Sequence, residues 1–540
     1  MSENSIEQAP GIFVGEMAAF PPSVVGVQTA VPVFIGYTAR AEMNGRPVPY
    51  TPVSIASLAD YELVFGGASR SLYEIVEVDG QASYDVSVND PAGAARHYRL
   101  DAESPRFNLY NGMRLFYANG GGNCYVVSVG LCAAATGGVD RAALLQGLAA
   151  AGEQAGPTML LVPDALLLPP DAPASGADAK PWVSTAYGEV VSAMLGQCAT
   201  LQDRMAVLDV YGTQYLTQPA APGAATPTLD DVAGSFRTNV GSAGLSYGMA
   251  YFPFLQTTVV QPAEATYAWF DDTPADPATG AGPLRQLLTW QNAALYGNTP
   301  RQAQVQADID RIGTVTAPAD VRALDDRLTA ALPLLMEMKG VAATREGSLL
   351  PAAPALAGVV TYVDSTRGVW NAPANVSLTS VASASFPLDN AQQEALNLPL
   401  DGKAVNALRD FTGRGTVVWG ARTLDGNSDD YRYIQVRRTL IYIEQSIKNA
   451  LNPFVFAPNT GQTWATVVAM VSGFLQTLWS QGGLMGATAS DAFTVQCGLG
   501  STMTGQDILE GYMIVQVTLQ MIRPAEYIEL TFRQKMEGVG

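Results

Sequence analysis

Apolar positions recur at two distinct periods along this chain. Near its C-terminal third, Val436, Leu440, Ile443, Ile447 and Leu451 return at four- and three-residue steps, the stripe of one helix face. A polar turn at 425–430 precedes the stripe. Asp429 or Asp430 is placed to cap the helix, because a carboxylate accepts from free first-turn amides and suits the positive helix end. Glu444 and Lys448 pair at i, i+4 on the polar side. Asn452-Pro453 ends the helix, since the proline ring clashes with continuing helical backbone. A short apolar strand, 416–419, lies just upstream between glycines, so 413–456 reads as strand, turn and helix.

Elsewhere the pattern alternates between strand and helix. Residues 31–37 form a continuously apolar strand of the buried type, and 112–130 read as two strands around Gly120-Gly121-Gly122. A helix over 140–151, a strand at 158–163, a helix at 182–198 and a strand at 205–210 have βαβ spacing, which predicts an α/β sheet. Asp164 and Asp209 fall at the C-terminal ends of strands, where such sheets bind ligands; the alternative is a solvated or capping aspartate. Proline-, alanine- and glycine-rich linkers occupy 169–180, 217–228 and 273–283. Between 282 and 338 the pattern is helical, and 358–375 returns to strand and turn.

Both ends of the chain read as strands without a sheet of their own. Residues 1–25 are extended and bounded by Pro10, Pro21 and Pro22, with Ile12, Phe13 and Val14 as their strand-like part. Near the other end Val515, Val517 and Leu519 alternate with polar residues, and Ile528, Leu530 and Phe532 do the same. The organisation expected is therefore a multidomain α/β protein. It has an N-terminal arm (1–25), an α/β core (26–65 and 110–272), an inserted outer region (66–109) and an inserted helical region (273–350). A C-terminal domain (351–512) and a C-terminal strand arm (513–540) complete it.

Composition narrows the function classes. With 540 residues, 48% apolar and 15% charged, the chain buries several cores and is not disordered. The net charge is −19, yet 403–540 hold 11 basic and 11 acidic residues, so the excess lies in 1–402. Within 403–450 the balance is locally positive, 8 basic to 5 acidic. No dense basic run exists, which argues against nucleic acid as a partner. Cys124, Cys132, Cys198 and Cys497 form no C-x-x-C pair, so they read as free thiols made in a reducing compartment. The first ten residues lack the features of a signal peptide. The uncharged stretch 464–486 carries one stripe, Trp464, Val467, Val468, Val471, Leu475 and Leu478, and so reads as a buried or interface helix rather than a membrane span.

Candidate chemistry is sparse. One histidine, His97, makes multi-histidine metal sites impossible within a single chain, and no cofactor is expected. Gly244-Leu245-Ser246-Tyr247-Gly248 matches the G-x-S-x-G of hydrolases. Residues 250–260, immediately downstream, read as strand instead of helix, and His97 lies upstream, so the glycines are better explained by a turn. Gly120-Gly121-Gly122 leads into a strand, not a helix N-terminus, and no P-loop is present.

Several stretches, in order, resemble contractile tail sheath proteins, the sheath subunits of phage tails, R-type pyocins and related injection systems. They include Pro10-Gly11-Ile12-Phe13-Val14, Val162-Pro163-Asp164, Gly368-Val369-Trp370-Asn371, Trp419-Gly420-Ala421-Arg422-Thr423 and Tyr433-Ile434-Gln435-Val436-Arg437-Arg438. The resemblance covers most of the chain but not 66–108 or 273–350. It implies a structural subunit, not an enzyme, that stacks as six-membered rings around an inner tube and contracts. It implies partners in other copies of itself, the tube protein, and baseplate and terminator proteins, with assembly in the bacterial cytoplasm and no membrane insertion. It also implies that the terminal arms, through Ile12, Phe13, Val14, Val515, Val517, Leu519, Ile528, Leu530 and Phe532, add strands to neighbouring subunits. Such donation satisfies exposed strand edges that would otherwise aggregate. The locally positive region would face the tube, with Arg432, Arg437, Arg438 and Lys448 as contacts; alternatively these cations serve intramolecular ion pairs or contacts between subunits. The rival classes are a hydrolase using Ser246 and a non-contractile α/β binding protein.

Overall fold

The computed structural model describes residues 23–68, 72–80, 83–102, 106–135, 137–171, 180–217, 226–274 and 281–527. The chain divides into two units. Gln28–Tyr442 with Arg523–Gly540 forms the larger, and Met1–Val27 with Ile443–Ile522 the smaller. The arm residues Ile12, Phe13, Val14, Ile528, Leu530 and Phe532 lie outside the described residues, as do the middles of the three linkers.

The larger unit is built on an eight-stranded sheet. Its strands are β1 (Pro32–Thr38), β2 (Val53–Ile55), β3 (Cys124–Leu131), β4 (Met159–Leu161), β5 (Met205–Asp209), β6 (Gly248–Phe252), β7 (Asn406–Phe411) and β8 (Gly415–Trp419). Their order is β8-β7-β6-β5-β4-β1-β3-β2. The strands from β7 to β3 run parallel, while β8 and β2 join antiparallel at the edges. Val33, Phe34 and Ile35 are all fully buried, as an apolar run covered on both faces requires. The expected βαβ units form with their capping chemistry. The helix α2 (Arg141–Glu153), which comes after α1 (Leu109–Ala118), starts on the Asp140 carboxylate, and α3 (Thr185–Leu201) on the Ser184 hydroxyl. A Thr228–Asp231 capping box opens α4 (Leu229–Val240).

Two segments expected as strands are helices. Residues 112–118 belong to α1, and 358–367 to α5 (Ala353–Arg367). The β-branched run of α5 suggested a strand, but nine of its first eleven residues are buried, and an all-round apolar surface is equally that of a core helix. The two helices pack against one another at glycine. A Cβ on Gly358 would stand 2.5 Å from the Phe116 carbonyl oxygen, so the close approach of α1 and α5 requires the bare backbone there.

The two insertions share one core. A three-stranded antiparallel sheet (Tyr73–Val78, Ala95–Ala102 and Val86–Asn89) and four helices (Pro283–Tyr296, Pro300–Ile309, Pro318–Ala331 and Pro333–Gly347) bury Tyr73, Leu100, Leu287, Leu324, Leu335 and Met338 together. Each of the four helices begins with proline, whose missing N–H costs nothing in a first turn.

The boundary between the units falls inside a continuous helix, α6 (Ile434–Leu451), after Tyr442. The helix stops at Asn452-Pro453 as predicted but begins only at Ile434. Asp429 and Asp430 do not cap it: they sit in the preceding turn, where Asp429 accepts from Arg432. The smaller unit contains α7 (Gly461–Ser480), whose Val467, Met470, Val471, Leu475 and Leu478 are buried along one stripe. No helix among the described residues is long and apolar enough to cross a membrane. The unit also holds a two-stranded antiparallel sheet, β9 (Phe493–Gln496) with β10 (Gln516–Leu519), in register Phe493 to Leu519 and Val495 to Val517.

Candidate functional site

The ligand crevice of the sheet is closed by the chain itself. In a parallel sheet, ligands bind at the carboxyl ends where the strand order reverses, and here that point lies between β1 and β4. Asp164, fully buried just after β4, fills it. Its carboxylate accepts from the Tyr37 amide at 2.7 Å and from the Asn108 amide, at the start of α1, at 2.7 Å. A Cβ on Gly36 would lie 2.5 Å from that carboxylate, so glycine leaves the space it needs. Asp209, the last residue of β5, accepts from the Ala352 and Ala353 amides at 2.7 and 3.0 Å, where α5 begins. A helix N-terminus offers free amides to an acceptor, and in both places an internal carboxyl group takes them. Burial pushes the Asp164 carboxyl up to about 6 against the pull of the Tyr37, Asn108 and Leu109 amides. Burial likewise pushes Asp209 up to about 7, against the Ala353 and Ala352 amides. The capping alternative therefore holds at both aspartates.

The G-x-S-x-G motif is a turn, with Gly244 left-handed at φ 66° and a single helical turn at Leu245–Tyr247 leading straight into β6. The Ser246 hydroxyl accepts from Arg437 Nη2 at 2.9 Å. A guanidinium cannot act as a general base. His97 sits elsewhere, on the strand Ala95–Ala102, stacked on Tyr84.

The four cations expected at the tube separate into two kinds. Arg437 and Arg438 are buried, 6% and 5% exposed, and are held within the chain. The Arg437 guanidinium lies between the rings of Tyr431 and Tyr247, 3.7 and 4.4 Å from their centroids. Arg438 pairs with Asp364 of α5 through two bonds of 2.7 and 2.6 Å. Both therefore have intramolecular partners, the alternative that the sequence left open for these cations. Helical spacing alone could not separate them from surface cations, because Asp364 lies 74 positions away. Arg432, partly exposed and paired with Asp429, and Lys448, exposed near the end of α6, remain at the surface.

The chain around 27–29 is held at α6, and Glu526 is held by residues that precede that helix. The Val27 amide donates to Ser446 Oγ at 3.1 Å, and the Thr29 carbonyl accepts from Arg438 Nη2 at 2.8 Å. At the other end Glu526 receives both arms of the Arg422 guanidinium, at 2.9 and 2.6 Å, together with Tyr433 Oη at 3.2 Å and Asn397 Nδ2 at 3.0 Å. Tyr433 is the residue before α6, and its carbonyl accepts from the Arg437 amide. Burial pushes the Glu526 carboxyl up, but the bonds from Arg422 and Asn397 outweigh it and hold the group below the usual glutamate range. Sequence reasoning missed Glu526, Asp364 and Ser446 as arm-root residues. Arg422 stood inside a recognised motif, but its partner lies 104 positions on.

Residues 515–519 alternate as expected, with Val515, Val517 and Leu519 half-buried and Gln516 and Thr518 exposed. Within the chain their partner is β9. Each strand of the pair is bonded on one side, and among the described residues no third strand joins either. Around them the smaller unit exposes Val455, Phe456, Met485, Leu499, Leu509 and Tyr512, with Phe456 wholly in solvent. Its segment Ile443–Ile522 carries only five charged side chains, Glu444, Lys448, Asp491, Asp507 and Glu510. Surfaces buried in assemblies have this low charge.

The sheet's crevice is thus sealed by its own aspartates, and among the described residues the chain leaves strand edges and apolar surface uncovered. The family described as the phage tail sheath C-terminal domain matches residues 427–535. The tail sheath protein of Burkholderia phage BcepMu is 28% identical over 152 residues, 27% of this chain and 32% of that protein. The match thus spans about a third of the curated relative's length. The anti-feeding prophage helical sheath in its contracted state is 25% identical over 98% of this chain and 100% of its own, with a TM-score of 0.55. The six-fold symmetrised baseplate of the anti-feeding prophage contains a chain also 25% identical, over 98% of this chain and 100% of that one, with a TM-score of 0.54. Residues 427–535 thus match the phage tail sheath C-terminal domain, and nearly the whole chain is similar to the sheath of a contractile system.

Proposed function

We propose that the chain polymerises as stacked six-membered rings around an inner tube, and that shortening of the stack drives the tube through a target envelope. The observation that carries this reading is the likeness of nearly the whole chain to the contracted anti-feeding prophage sheath. The six-fold ring follows the symmetrised baseplate relative, which also supports a baseplate as a partner. A tube protein and a terminator protein complete the set. The particle is a phage tail or a contractile injection particle assembled in the bacterial cytoplasm.

Strand exchange supplies the link between copies. The segments around Ile12, Phe13 and Val14 and around Ile528, Leu530 and Phe532 are offered to the unpaired edges of β9 and β10 in neighbours. Such head-to-tail contacts close into rings or extend into helices. The C-terminal domain, 351–512, faces the tube, with Lys448 and Arg432 as its contacts. The energy resides in the extended lattice, so no nucleotide enters the cycle.

Negative-stain electron microscopy of the purified chain tests the reading. Hollow striated cylinders are expected, of contracted diameter because no tube holds the extended form. Monomers alone, both by themselves and after co-expression with a tube protein, would overturn it.

A further inference from the structure

Thr29 is tied to Arg438 on α6, and Glu526 to Arg422, Asn397 and Tyr433, the last of which directly precedes α6. On the N-terminal side the carbonyl of Thr29 is held by Arg438, whose guanidinium is fixed in turn by Asp364, with both side chains about 95% buried. Thr158 Oγ1 also donates to the Thr29 carbonyl at 2.7 Å and accepts from the Val31 amide at 2.9 Å, so the chain from 27 to 31 has little freedom. On the C-terminal side the Glu526 carboxylate meets a fork of Arg422, a side chain only 3% exposed, plus the Tyr433 hydroxyl and the Asn397 amide. Four donors on one carboxylate exceed what a surface ion pair provides, and the bidentate fork fixes direction as well as distance.

We propose that Arg422 and Arg438 are the anchors of the two arms, so that tension between linked subunits enters each subunit at α6 and at the stretch that leads into it. This rests on the arm exchange proposed above. The physical reason lies in how a shared strand fails. Its backbone bonds open one after another from the end, each costing little net free energy. The opening stops where a contact cannot be released in small steps. Withdrawing Glu526 would leave the buried Arg422 guanidinium without a counter-charge, and withdrawing Thr29 would uncover Arg438. The N-terminal arm then pivots at 27–29 and the C-terminal arm beyond Glu526. Because Arg438 lies on the first turns of α6 and Tyr433 directly precedes it, the two pulls enter the chain within a few residues of each other. Arg422 and Arg438 are positioning residues in this scheme and touch no neighbour.

The test uses Glu526→Gln, an isosteric change. In the free full-length subunit, hydrogen exchange at the backbone amides of 521–527 is expected to speed up by about tenfold or more, the scale of one charged hydrogen bond. Unchanged exchange would overturn the anchor whether or not the chain forms a sheath. In cylinders, the Arg422→Gln/Glu526→Gln double variant, which leaves no buried charge unpaired, is expected to fall apart at a denaturant concentration lowered by more than the unfolding midpoint of its free subunit. Glu526→Asp is expected to recover part of the loss. Equal shifts in cylinder and subunit would show that the pair only stabilises the fold, and would overturn its role in carrying tension. Failure of the wild-type chain to form cylinders with or without a tube would overturn the sheath reading and that role together, while the exchange measurement would still decide the anchor.

Discussion

Arg438 and Asp364 form a bidentate pair at 2.7 and 2.6 Å, with side chains only 4% and 5% exposed, joining α6 to α5. Removing one partner strands the other. Asp364→Ala is therefore expected to cost about 3–5 kcal/mol, whereas replacing both residues by apolar ones of similar volume should cost far less. Urea unfolding of the two variants checks the difference.

Asp209 gives the fold a pH dependence of defined sign. Its folded value of about 7 stands above the ordinary value of about 3.9, so the folded chain holds the proton more tightly. Its contribution is full below pH 4 and is lost as the pH rises through about 7. Asp164 acts in the same direction through about 6. Asp209→Asn cannot titrate, and its unfolding free energy is expected to vary less between pH 4 and 7 than that of the wild type. Asp209→Ala is expected to lose about 1–3 kcal/mol, because it orphans the first amides of α5.

Gly358→Ala should be a costly substitution for its size. The added methyl would meet the Phe116 carbonyl oxygen at 2.5 Å, and backbone must move to receive it. A loss of about 1–3 kcal/mol is expected, despite the better helix propensity of alanine, and thermal unfolding measures it.

The separation of the cations makes opposite predictions for two residues on one helix. Arg437→Glu puts a carboxylate between two tyrosine rings and should destabilise the free subunit severely. Lys448→Glu changes an exposed side chain and should shift subunit stability by about 0.5 kcal/mol or less, while loosening the fit of sheath to tube. Extended particles of normal stability from Lys448→Glu would remove it as a tube contact.

Deleting residues 1–20 should leave the unfolding transition of the subunit in place and abolish cylinders. Cylinders from the shortened chain, seen by electron microscopy, would show that the N-terminal arm is dispensable.

Much of the fold was legible because its strongest signals are local. The burial of β1, the presence of α2 and α3, and the stripe of α6 with its stop at Pro453 come from periodicity and end chemistry within a few residues. The misread segments, α1 and α5, are helices buried on most sides, where the apolar run that suggests a strand is produced by packing across the chain. The site was less legible for the same reason. Alternation marked 515–519 as strand, but no local pattern names its partner, and β9 lies some twenty residues upstream. The positive stretch was visible, but its division into buried and exposed cations depends on Asp364, Tyr247 and Ser246, each contributed by another element.

The scarcity of charge in Ile443–Ile522 has a thermal consequence. Contacts made by Phe456, Leu509 and Tyr512 draw their strength from released water, and that driving force fades as the temperature falls. Interfaces formed through this segment would therefore be weakest in the cold and strengthened by sulfate. They would be nearly indifferent to dilute sodium chloride, which screens charges the segment hardly carries.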